Sequence, residues 1–366
     1  MRVLLAAKYF HFPQGGGGLE RNTHELCLHL VRQGIAPAVM CDLQPDFSFL
    51  ALKNRLARKL RPQIRFPMDS RFGYSVFRGW NGEDGAGEVA SRFKPDIAVV
   101  QTGEPIMLRS FADLGIPRMA YFHEVANVHY VKELMKIGDV GLLANSEFTA
   151  RKIEEIAGVS PTVIRPLIDS SLYLTSISPK NVLFINTSPK KGVEVVFQLA
   201  ESRPDVQFDI VKYWSASAEH VQEHVRRLTA RAQAAGNITL HESTNDLRPL
   251  YARARLLLAP SQVEEAWGRV ATEAQINGIP VLASRRGGLP ESVGPGGILV
   301  AHDAPIETWK EAFSKLWDDP SEHARYAAAA LAYSKRPDIQ PETIVGTFID
   351  ILKGCTLGHP MEARRS

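Results

Sequence analysis

The sequence predicts an α/β protein made of two parallel-sheet domains. Short, nearly continuous apolar runs alternate with amphipathic segments along the chain, as strands that are covered on both faces require. This alternation breaks once, in the serine-containing segment 167–180, and then resumes. A chain of 366 residues also exceeds the size at which one hydrophobic core usually stops growing. We therefore expect segment 167–180 to link two domains.

The first domain is predicted over residues 1–168. A glycine loop at 15–18 leads from its first strand into a helix over about 19–32. Its predicted strands cover residues 2–7, 36–41, 96–101, 118–123, 140–145 and 162–166. Helical segments separate several of these strands, which is the pattern of a doubly wound sheet.

The second domain is predicted over residues 178–338 and repeats this pattern. Its strands are predicted over residues 181–186, 206–211, 237–241, 254–260, 280–284 and 296–300. Its helices are predicted from Lys191, near 217–234 and from about 268. Residues 339–366 are expected to form a helix that crosses back to the first domain, and a tail. Because ligands bind beyond the carboxyl ends of such strands, we expect two Rossmann-like domains that face a central cleft.

Composition and charge argue against several classes of function. The net charge is only +3, which implies no global surface for polyanions. Cys27, Cys41 and Cys355 are odd in number and far apart, which favours a reducing compartment. The N-terminus is typical of a strand rather than a signal peptide, and no apolar run approaches the length of a membrane span. We expect a cytoplasmic protein.

A glycine-rich loop, QGGGGLERN at 14–22, follows the first strand and opens a helix. Backbone around Gly16 and Gly17 allows a ligand to approach closely, and a helix N-terminus favours anions. A flexible loop would explain the same glycines. The loop lacks the G-x-G-x-x-G spacing of dinucleotide-binding domains, so an NAD(P)-dependent oxidoreductase is the weaker interpretation.

Two lysines, Lys190 and Lys191, stand at the start of a predicted helix in the second domain. The positive end of the helix dipole and the two ammonium groups together suit a diphosphate. A solvated pair of charges in a loop is the alternative interpretation.

The segment EEAWGRVATEA, residues 264–274, carries two carboxylates eight positions apart. Gly268 indicates that a helix begins between them, which places Glu265 in a loop and Glu273 on the helix. Carboxylate oxygens accept hydrogen bonds in fixed directions, which suits sugar hydroxyls rather than a metal site here. A pair of surface glutamates is the alternative. The following GGLPESV, residues 287–293, adds another glycine turn.

The order of these motifs resembles that of the family-4 retaining glycosyltransferases, which have the GT-B fold. The resemblance covers nearly the whole chain and is strongest over 260–293, which is similar to the family's nucleotide-sugar signature. The glycine loop, YFHE at 121–124, LANSEFTA at 143–150 and KKG at 190–192 follow in family order.

The resemblance implies a role for each candidate residue. Glu273 would hold the ribose hydroxyls, and Glu265 would hold hydroxyls of the donor sugar. Lys191 would neutralise the leaving diphosphate. His123 would lie beside the reacting sugar, although a core histidine is the simpler interpretation without the resemblance. The implied catalytic residues are His123, Lys191 and Glu265. The implied donor-binding residues are Gly16, Gly17, Asn186, Lys190, Lys191, Glu265, Ala266, Trp267, Gly268 and Glu273.

Two positions depart from the family pattern. The family usually has an arginine where alignment on the Lys-Gly pair places Asn186, and Lys190 is expected to compensate for the missing charge. A glycine-rich turn usually follows the strand at 206–211, whereas this chain has KYWSAS at 212–217. These departures keep a degenerate, non-catalytic sugar- or nucleotide-binding protein as an alternative.

A basic segment without acidic residues, ALKNRLARKLRPQIRF, covers residues 51–66. Its apolar stripe consists of Leu52, Leu56 and Leu60. A basic amphipathic helix of this kind suits an anionic membrane surface. Alternatively, the leucines pack on the sheet and the basic residues are solvated. Aromatic residues are not interleaved, so a nucleic acid is not an expected partner.

The leading interpretation is a retaining glycosyltransferase of EC class 2.4, of the kind used in polysaccharide biosynthesis. It would move a sugar from a nucleotide-sugar donor to a hydroxyl of a glycan or lipid-linked glycan. The resemblance implies no metal and no other cofactor, and no D-x-D run occurs near a strand end. The expected location is the cytoplasm, with peripheral attachment to the inner face of the membrane.

Overall fold

The computed structural model describes residues 1–44, 49–212 and 219–356. These residues form two compact units. The first unit is Met1–Leu167 together with the segment that begins at Pro341, and the second is Ile168–Gln340. Each unit contains one sheet with parallel neighbours and helices between the strands. The predicted α/β class with two Rossmann-like units is therefore confirmed.

The first unit is built on an eight-stranded sheet. Its strands are β1 (Arg2–Phe10), β2 (Ala36–Asp42), β3 (Met68–Asp69), β4 (Ser75–Gly79), β5 (Ile97–Val100), β6 (Arg118–Phe122), β7 (Val140–Ala144) and β8 (Thr162–Val163). Its helices before the second unit are α1 (Gly18–Arg32), α2 (Phe49–Leu60), α3 (Ala86–Phe93), α4 (Pro105–Asp113), α5 (Val131–Ile137) and α6 (Glu147–Ala157). The strand order is β3-β4-β2-β1-β5-β6-β7-β8, and only the β3–β4 pair is antiparallel among the described strands.

The strands predicted for this unit are all present, with two differences. The strand predicted over 162–166 is reduced to β8, because the ladder cannot continue through Pro166, which has no N–H to donate. Strands β3 and β4 were not predicted, since segment 67–79 mixes polar residues and glycine and shows no continuous apolar run.

Helix α2 turns the leucines of its predicted apolar stripe, Leu52, Leu56 and Leu60, away from the protein. Its buried residues are Leu50, Ala51 and Asn54. The large apolar side chains Phe49, Leu52, Leu56 and Leu60 are 78, 48, 57 and 72% exposed. With 3.6 residues per turn, these two sets lie on nearly opposite faces. The interpretation in which the leucines pack on the sheet is therefore wrong, and the helix ends at Leu60 instead of covering all of 51–66.

The second unit is built on a six-stranded parallel sheet. Its strands are β9 (Asn181–Ile185), β10 (Phe208–Val211), β11 (Ile238–His241), β12 (Ala254–Ala259), β13 (Val281–Ser284) and β14 (Gly297–Val300). Its helices are α7 (Val193–Ser202), α8 (Glu219–Ala235), α9 (Arg248–Tyr251), α10 (Arg269–Gln275), α11 (Leu289–Val293), α12 (Ile306–Trp317) and α13 (Pro320–Tyr333). The strand order is β11-β10-β9-β12-β13-β14.

The boundaries of this unit's elements follow the prediction closely. Helix α10 begins directly after Gly268, as expected. Helix α7 begins at Val193 rather than Lys191, because Pro189–Lys191 forms a short 3-10 turn before it. The aromatic residues predicted to follow β10, within 213–217, lie outside the described residues.

Helix α14 (Pro341–Thr356) belongs to the first unit. Its buried residues are Ile344, Val345, Phe348 and Leu352, and they join the apolar cluster that contains Val3 and Leu5 of β1. Alternate residues of β1, Leu4 and Ala6, enter the cluster on the other face, as side-chain alternation along a strand requires. No helix of the described residues is long and apolar enough to cross a membrane.

A buried arginine fixes the chain that follows β1. Arg78 of β4 is fully buried, and its Nε lies 3.1 Å from Asp69 Oδ2. Its guanidinium donates to the carbonyl oxygen of His11 at 3.0 Å and to that of Phe12. A buried guanidinium needs such partners, because an uncompensated charge away from water is costly. Arg78 therefore sets the position from which the chain enters the glycine loop.

Candidate active site

Each sheet has one point where the direction of winding reverses. It lies between β1 and β5 in the first unit and between β9 and β12 in the second. Open α/β sheets bind ligands beyond the carboxyl ends of the strands at such points. The candidate residues follow these strands: the glycine loop follows β1, Lys191 follows β9 and Glu265 follows β12.

An ion pair joins the loops after β9 and β12. Lys191 Nζ lies 2.5 Å from Glu265 Oε1, and Ser261 Oγ donates to the same oxygen at 2.8 Å. The side chains of Lys191 and Glu265 are 33% and 17% exposed, so the pair is accessible to a ligand. Lys190 is exposed, and the described residues offer it no ion pair. The structure thus brings Lys191 and Glu265 together and leaves Lys190 apart from them.

Backbone contacts that only glycine permits hold these loops in place. Gly192 has a φ of +79°, and a Cβ at this position would lie 1.9 Å from the carbonyl oxygen of Pro260. A Cβ on Gly288 would lie 2.3 Å from the carbonyl oxygen of Ala266. The amide of Gly288 donates to the carbonyl of Glu265 at 2.6 Å. The loops after β9, β12 and β13 therefore pack backbone against backbone around Glu265.

The side chains that follow Glu265 are turned into the protein. Ala266 and Trp267 are 8% and 2% exposed, and Trp267 Nε1 donates to Thr272 Oγ1 at 3.1 Å. Gly268 has a φ of +92° and precedes α10. The groups that this loop can offer to a donor are thus those of its backbone, which is the role expected of these three residues.

Glu273 lies in a buried network of its own. The residue is 2% exposed, and Tyr251 donates its hydroxyl to Oε2 at 2.8 Å. Arg269 Nε lies 3.4 Å from Oε1, and the same guanidinium donates to the hydroxyl of Tyr173 at 2.9 Å. Each carboxylate oxygen can accept more than one hydrogen bond, so these contacts leave acceptor capacity for a further hydroxyl.

Asn186 lies in a turn whose backbone conformation explains why asparagine stands at this position. Its φ is +86°, and asparagine tolerates this left-handed region better than most side chains. Its Oδ1 accepts a hydrogen bond from the amide of Ser188 at 3.0 Å. One end of the side-chain amide therefore stabilises the turn, which leaves Nδ2 for the donor-binding role predicted from the sequence.

His123 lies directly after β6 and is 9% exposed. Its Nε2 is 2.6 Å from Gln101 Oε1, and because that oxygen only accepts, Nε2 carries the proton in this arrangement. Asn145 Nδ2 donates to the carbonyl of His123 at 3.2 Å, and the Tyr121 ring centroid is 3.9 Å from the imidazole centroid. These contacts from β5, β6 and β7 fix both the ring and the backbone of His123.

The side chain of Glu20 lies against the glycine loop. The Glu20 carboxylate lies beside the backbone of Gly17 at the N-terminus of α1, and burial raises its pKa. A Cβ on Gly17 would lie 2.6 Å from Glu20 Oε2. A carboxylate at this position interacts favourably with the helix dipole. A diphosphate at Gly16 and Gly17 would compete with it.

A second acidic contact lies at the same edge of the first sheet. Tyr9 donates its hydroxyl to Glu124 Oε2 at 3.1 Å, and Glu124 directly follows His123. Burial, reinforced by the charge of Glu124, raises the pKa of Tyr9 to about 12. The phenol therefore remains a hydrogen-bond donor throughout the neutral pH range.

Sequence reasoning missed several residues of these networks, among them Tyr9, Gln101, Tyr251 and Ser261. Gln101 and Ser261 could have been found, since they are polar residues at or just beyond the ends of apolar runs. Tyr9 and Tyr251 lie within segments that gave no such signal. Within the described ranges, no group of three His, Cys, Asp or Glu side chains is placed to hold a metal ion.

Comparisons with known proteins match both units to one enzyme family. The family model "Glycosyltransferase Family 4" matches residues 16–172, and the model "Glycosyl transferases group 1" matches residues 178–332. The chain belongs to the group 1, family 4 glycosyltransferases. The family prediction made from the motifs is thereby confirmed.

The chain is similar to curated relatives over part of its length. It is 27% identical over 233 residues to a D-inositol 3-phosphate glycosyltransferase of Corynebacterium aurimucosum, which covers 56% of this chain and 55% of the relative. It is 33% identical over 153 residues to the protein of the same name from Corynebacterium diphtheriae, which covers 39% of this chain and 35% of the relative. The chain therefore spans about half or less of these relatives' length.

Solved structures share the fold of this chain. The structure of HepE from Anabaena in complex with UDP-glucose has a TM-score of 0.75 at 18% identity, and covers 96% of this chain and 99% of that one. Sucrose-phosphate synthase from Thermosynechococcus elongatus has a TM-score of 0.76 at 14% identity, with coverage of 96% and 98%. These neighbours confirm the GT-B fold class.

We predict that Gly192→Ala destabilises the protein and lowers its affinity for nucleotides. Its Cβ would collide with Pro260 O in addition to the cost of positive φ, and we expect a loss of about 2–4 kcal/mol in the free energy of unfolding. Gly236→Ala is the matched control, because Gly236 has a φ of +75° but open space around its Cβ. Urea unfolding measures both variants, and equal losses would contradict the packing argument.

Proposed function

We propose that this glycosyltransferase moves a hexose, with retention of configuration and without a metal, from a nucleotide sugar to a hydroxyl of a glycan or lipid-linked glycan. The observation that supports the proposal most directly is the Lys191–Glu265 pair beside β9 and β12. A cation, a carboxylate and loop backbone at one sheet edge offer partners for a diphosphate and for the sugar attached to it.

Lys191 supplies the positive charge that the departing nucleotide needs. As the bond between the sugar and the diphosphate breaks, negative charge grows on the phosphate oxygens, and a fixed donor stabilises the transition state. The ammonium group has three N–H donors, and the contact with Glu265 uses one. In this proposal the lysine takes the place that a divalent ion has in other transferases.

In this proposal Glu265 and Glu273 bind different parts of the donor. Lys191 and Ser261 both donate to Glu265 Oε1, which orients the carboxylate and leaves Oε2 for hydroxyls of the sugar. Glu273 would accept from the ribose hydroxyls with the lone pairs that Tyr251 and Arg269 do not use. Asn186 Nδ2 and Lys190 would add further donors to the diphosphate, and the loop after Glu265 would add backbone groups.

Similar proteins suggest which donor and acceptor to test first. The HepE structure contains UDP-glucose, and the curated relatives are named for transfer to an inositol phosphate. We therefore propose UDP as the donor nucleotide and a polyhydroxylated acceptor. His123, held by Gln101 and Asn145, would act in the first unit beside the reacting sugar.

A non-catalytic binding protein is the second candidate function. It was suggested by Asn186, which replaces a cationic residue of the family pattern. Asn186 has a positive φ and accepts a hydrogen bond from Ser188. The local turn therefore explains why asparagine stands at this position, without any loss of activity. Hydrolysis of a nucleotide sugar in the absence of an acceptor would exclude this candidate.

Helix α2 gives the enzyme a surface for peripheral attachment to an anionic membrane. Its exposed residues Phe49, Leu52, Leu56 and Leu60 form an apolar face, and Lys53 and Lys59 flank that face. Apolar insertion and attraction to anionic lipids are the two contributions that bind amphipathic helices to bilayers. We propose that this helix docks the enzyme on the cytoplasmic face, where lipid-linked acceptors are available.

We predict that UDP raises the melting temperature selectively in a comparison of UDP, GDP, ADP and NAD at matched concentration. A ligand at one hundred times its Kd adds about 2.7 kcal/mol of stability. Glu273→Gln should reduce the shift, since the amide keeps an acceptor for Tyr251 but loses the carboxylate's charge. A shift with NAD alone would instead assign nucleotide binding to the glycine loop of the first unit.

We predict that Lys191→Ala lowers kcat about a hundred- to a thousandfold, the usual effect of removing one fixed donor at a developing charge. Lys190→Ala is the comparison and should lower kcat less, because it removes a neighbouring charge that lies outside the ion pair. Steady-state kinetics with the donor sugar measure both. Near-normal turnover in Lys191→Ala would move the role to Lys190.

We predict that a triple variant, Leu52→Ser, Leu56→Ser and Leu60→Ser, loses binding to anionic vesicles by at least about a hundredfold, because each leucine contributes about 1.5 kcal/mol or more when it is buried. Activity on a short soluble acceptor should be unchanged. Ile106→Ser with Leu114→Ser is the control, since both residues are similarly exposed elsewhere in the first unit. Equal binding of the triple variant and the control would refute docking through α2.

A further inference from the structure

An open groove lies beside α2 and is separate from the donor motifs. Its lining residues are Arg55, Arg58, Lys59, Pro62 and Trp80. Trp80 directly follows β4 and is 38% exposed, so the groove combines residues from two parts of the sequence. The basic segment at 51–66 gave no indication of the tryptophan.

Cationic side chains surround the indole ring. The guanidinium carbon of Arg55 lies 5.7 Å from the Trp80 ring centroid, and that of Arg58 lies 5.9 Å from it. Cations at such distances are attracted by the ring's negative face. The ring therefore attracts two guanidinium groups, and Lys59 also lines the groove.

Two acidic residues that follow Trp80 in the sequence are paired with other cations. Asp84 lies 3.0 Å from Arg65, and Glu88 lies 2.7 Å from Arg92. Among the side chains that the structure describes, which do not include that of Glu83, Arg58 and Lys59 have no ion pair with a carboxylate. The groove therefore concentrates positive charge, and its planar N–H donors match phosphate oxygens in geometry.

We infer that this groove binds the phosphate group of an anionic phospholipid, with Trp80 located at the interface of the bilayer. The inference rests on the proposed docking of α2, and it adds a defined headgroup site to that docking. Two features favour a lipid as the source of the phosphate. The exposed leucines of α2 provide the apolar contact that an acyl region requires, and a half-exposed tryptophan is typical of membrane interfaces.

A headgroup site differs from diffuse attraction in a measurable way. Diffuse attraction depends on the number of charges, so the loss of any two cations near the surface lowers vesicle binding by about thirtyfold. Binding at a defined site depends instead on which two cations are lost. Arg58→Gln with Lys59→Gln removes two of the groove's three cations, and Lys53→Gln with Arg61→Gln removes two charges of the same segment that do not line it.

The experiment measures binding of the full chain to vesicles of phosphatidylglycerol and phosphatidylcholine, and to phosphatidylcholine alone. Both double variants lose two positive charges, so both should bind anionic vesicles more weakly than the wild type. We expect Arg58→Gln with Lys59→Gln to weaken this binding at least about fivefold more than Lys53→Gln with Arg61→Gln. Trp80 is the first unit's only tryptophan in the sequence. Brominated phosphatidylglycerol should therefore quench fluorescence in the wild type more strongly than in Trp80→Phe.

Three outcomes would overturn the inference. Equal losses of vesicle binding in the two double variants, with no quenching of Trp80, would indicate diffuse attraction. Docking through α2 would then stand without a headgroup site. A change in Trp80 emission with millimolar glycerol phosphate but not with vesicles would assign the groove to a soluble phosphate. Absence of wild-type binding to any vesicle would remove both the site and the proposed docking.

Discussion

The close approach of backbone segments at the carboxyl end of the second sheet is the constraint on which the proposed donor site depends. The loops after β9, β12 and β13 touch through Gly192 and Gly288, where a Cβ would overlap a carbonyl oxygen. Backbone contact of this kind leaves little freedom for the loops, and a fixed loop can hold a charged side chain without reorganisation. The positions of Lys191 and Glu265 follow from these two glycines.

Each unit has a candidate site for an anionic ligand that already holds an anionic side chain. Lys191 and Glu265 neutralise each other, and Glu20 occupies the N-terminus of α1 in the first unit. A diphosphate that binds at either place must therefore exchange one anionic partner for another. Such exchanges favour a ligand that offers both phosphate to the lysine and hydroxyls to the carboxylate. A nucleotide sugar provides both groups in one molecule, whereas free phosphate provides only the first.

The sequence was sufficient to predict the fold and the family, because apolar runs and motif order are local properties of the chain. The sequence was also sufficient to predict that Glu265 lies in a loop and that a helix begins after Gly268. It did not reveal that Glu273 is enclosed by Tyr251 and Arg269, or that Glu20 closes the glycine loop, because these contacts join residues by side-chain geometry. The outward leucines of α2 were undecided for the same reason, since their burial depends on how the helix packs through Leu50, Ala51 and Asn54.

The return of α14 to the first unit has a consequence for biosynthesis. Phe348 and Leu352 are part of the same apolar cluster as Val3 and Leu5, although more than 300 positions separate them in the chain. A ribosome produces the N-terminal residues first, yet this cluster is incomplete until α14 emerges. The second unit, Ile168–Gln340, is continuous and has all its residues earlier. Co-translational folding should thus complete the second unit before the first, in reverse of their order in the sequence.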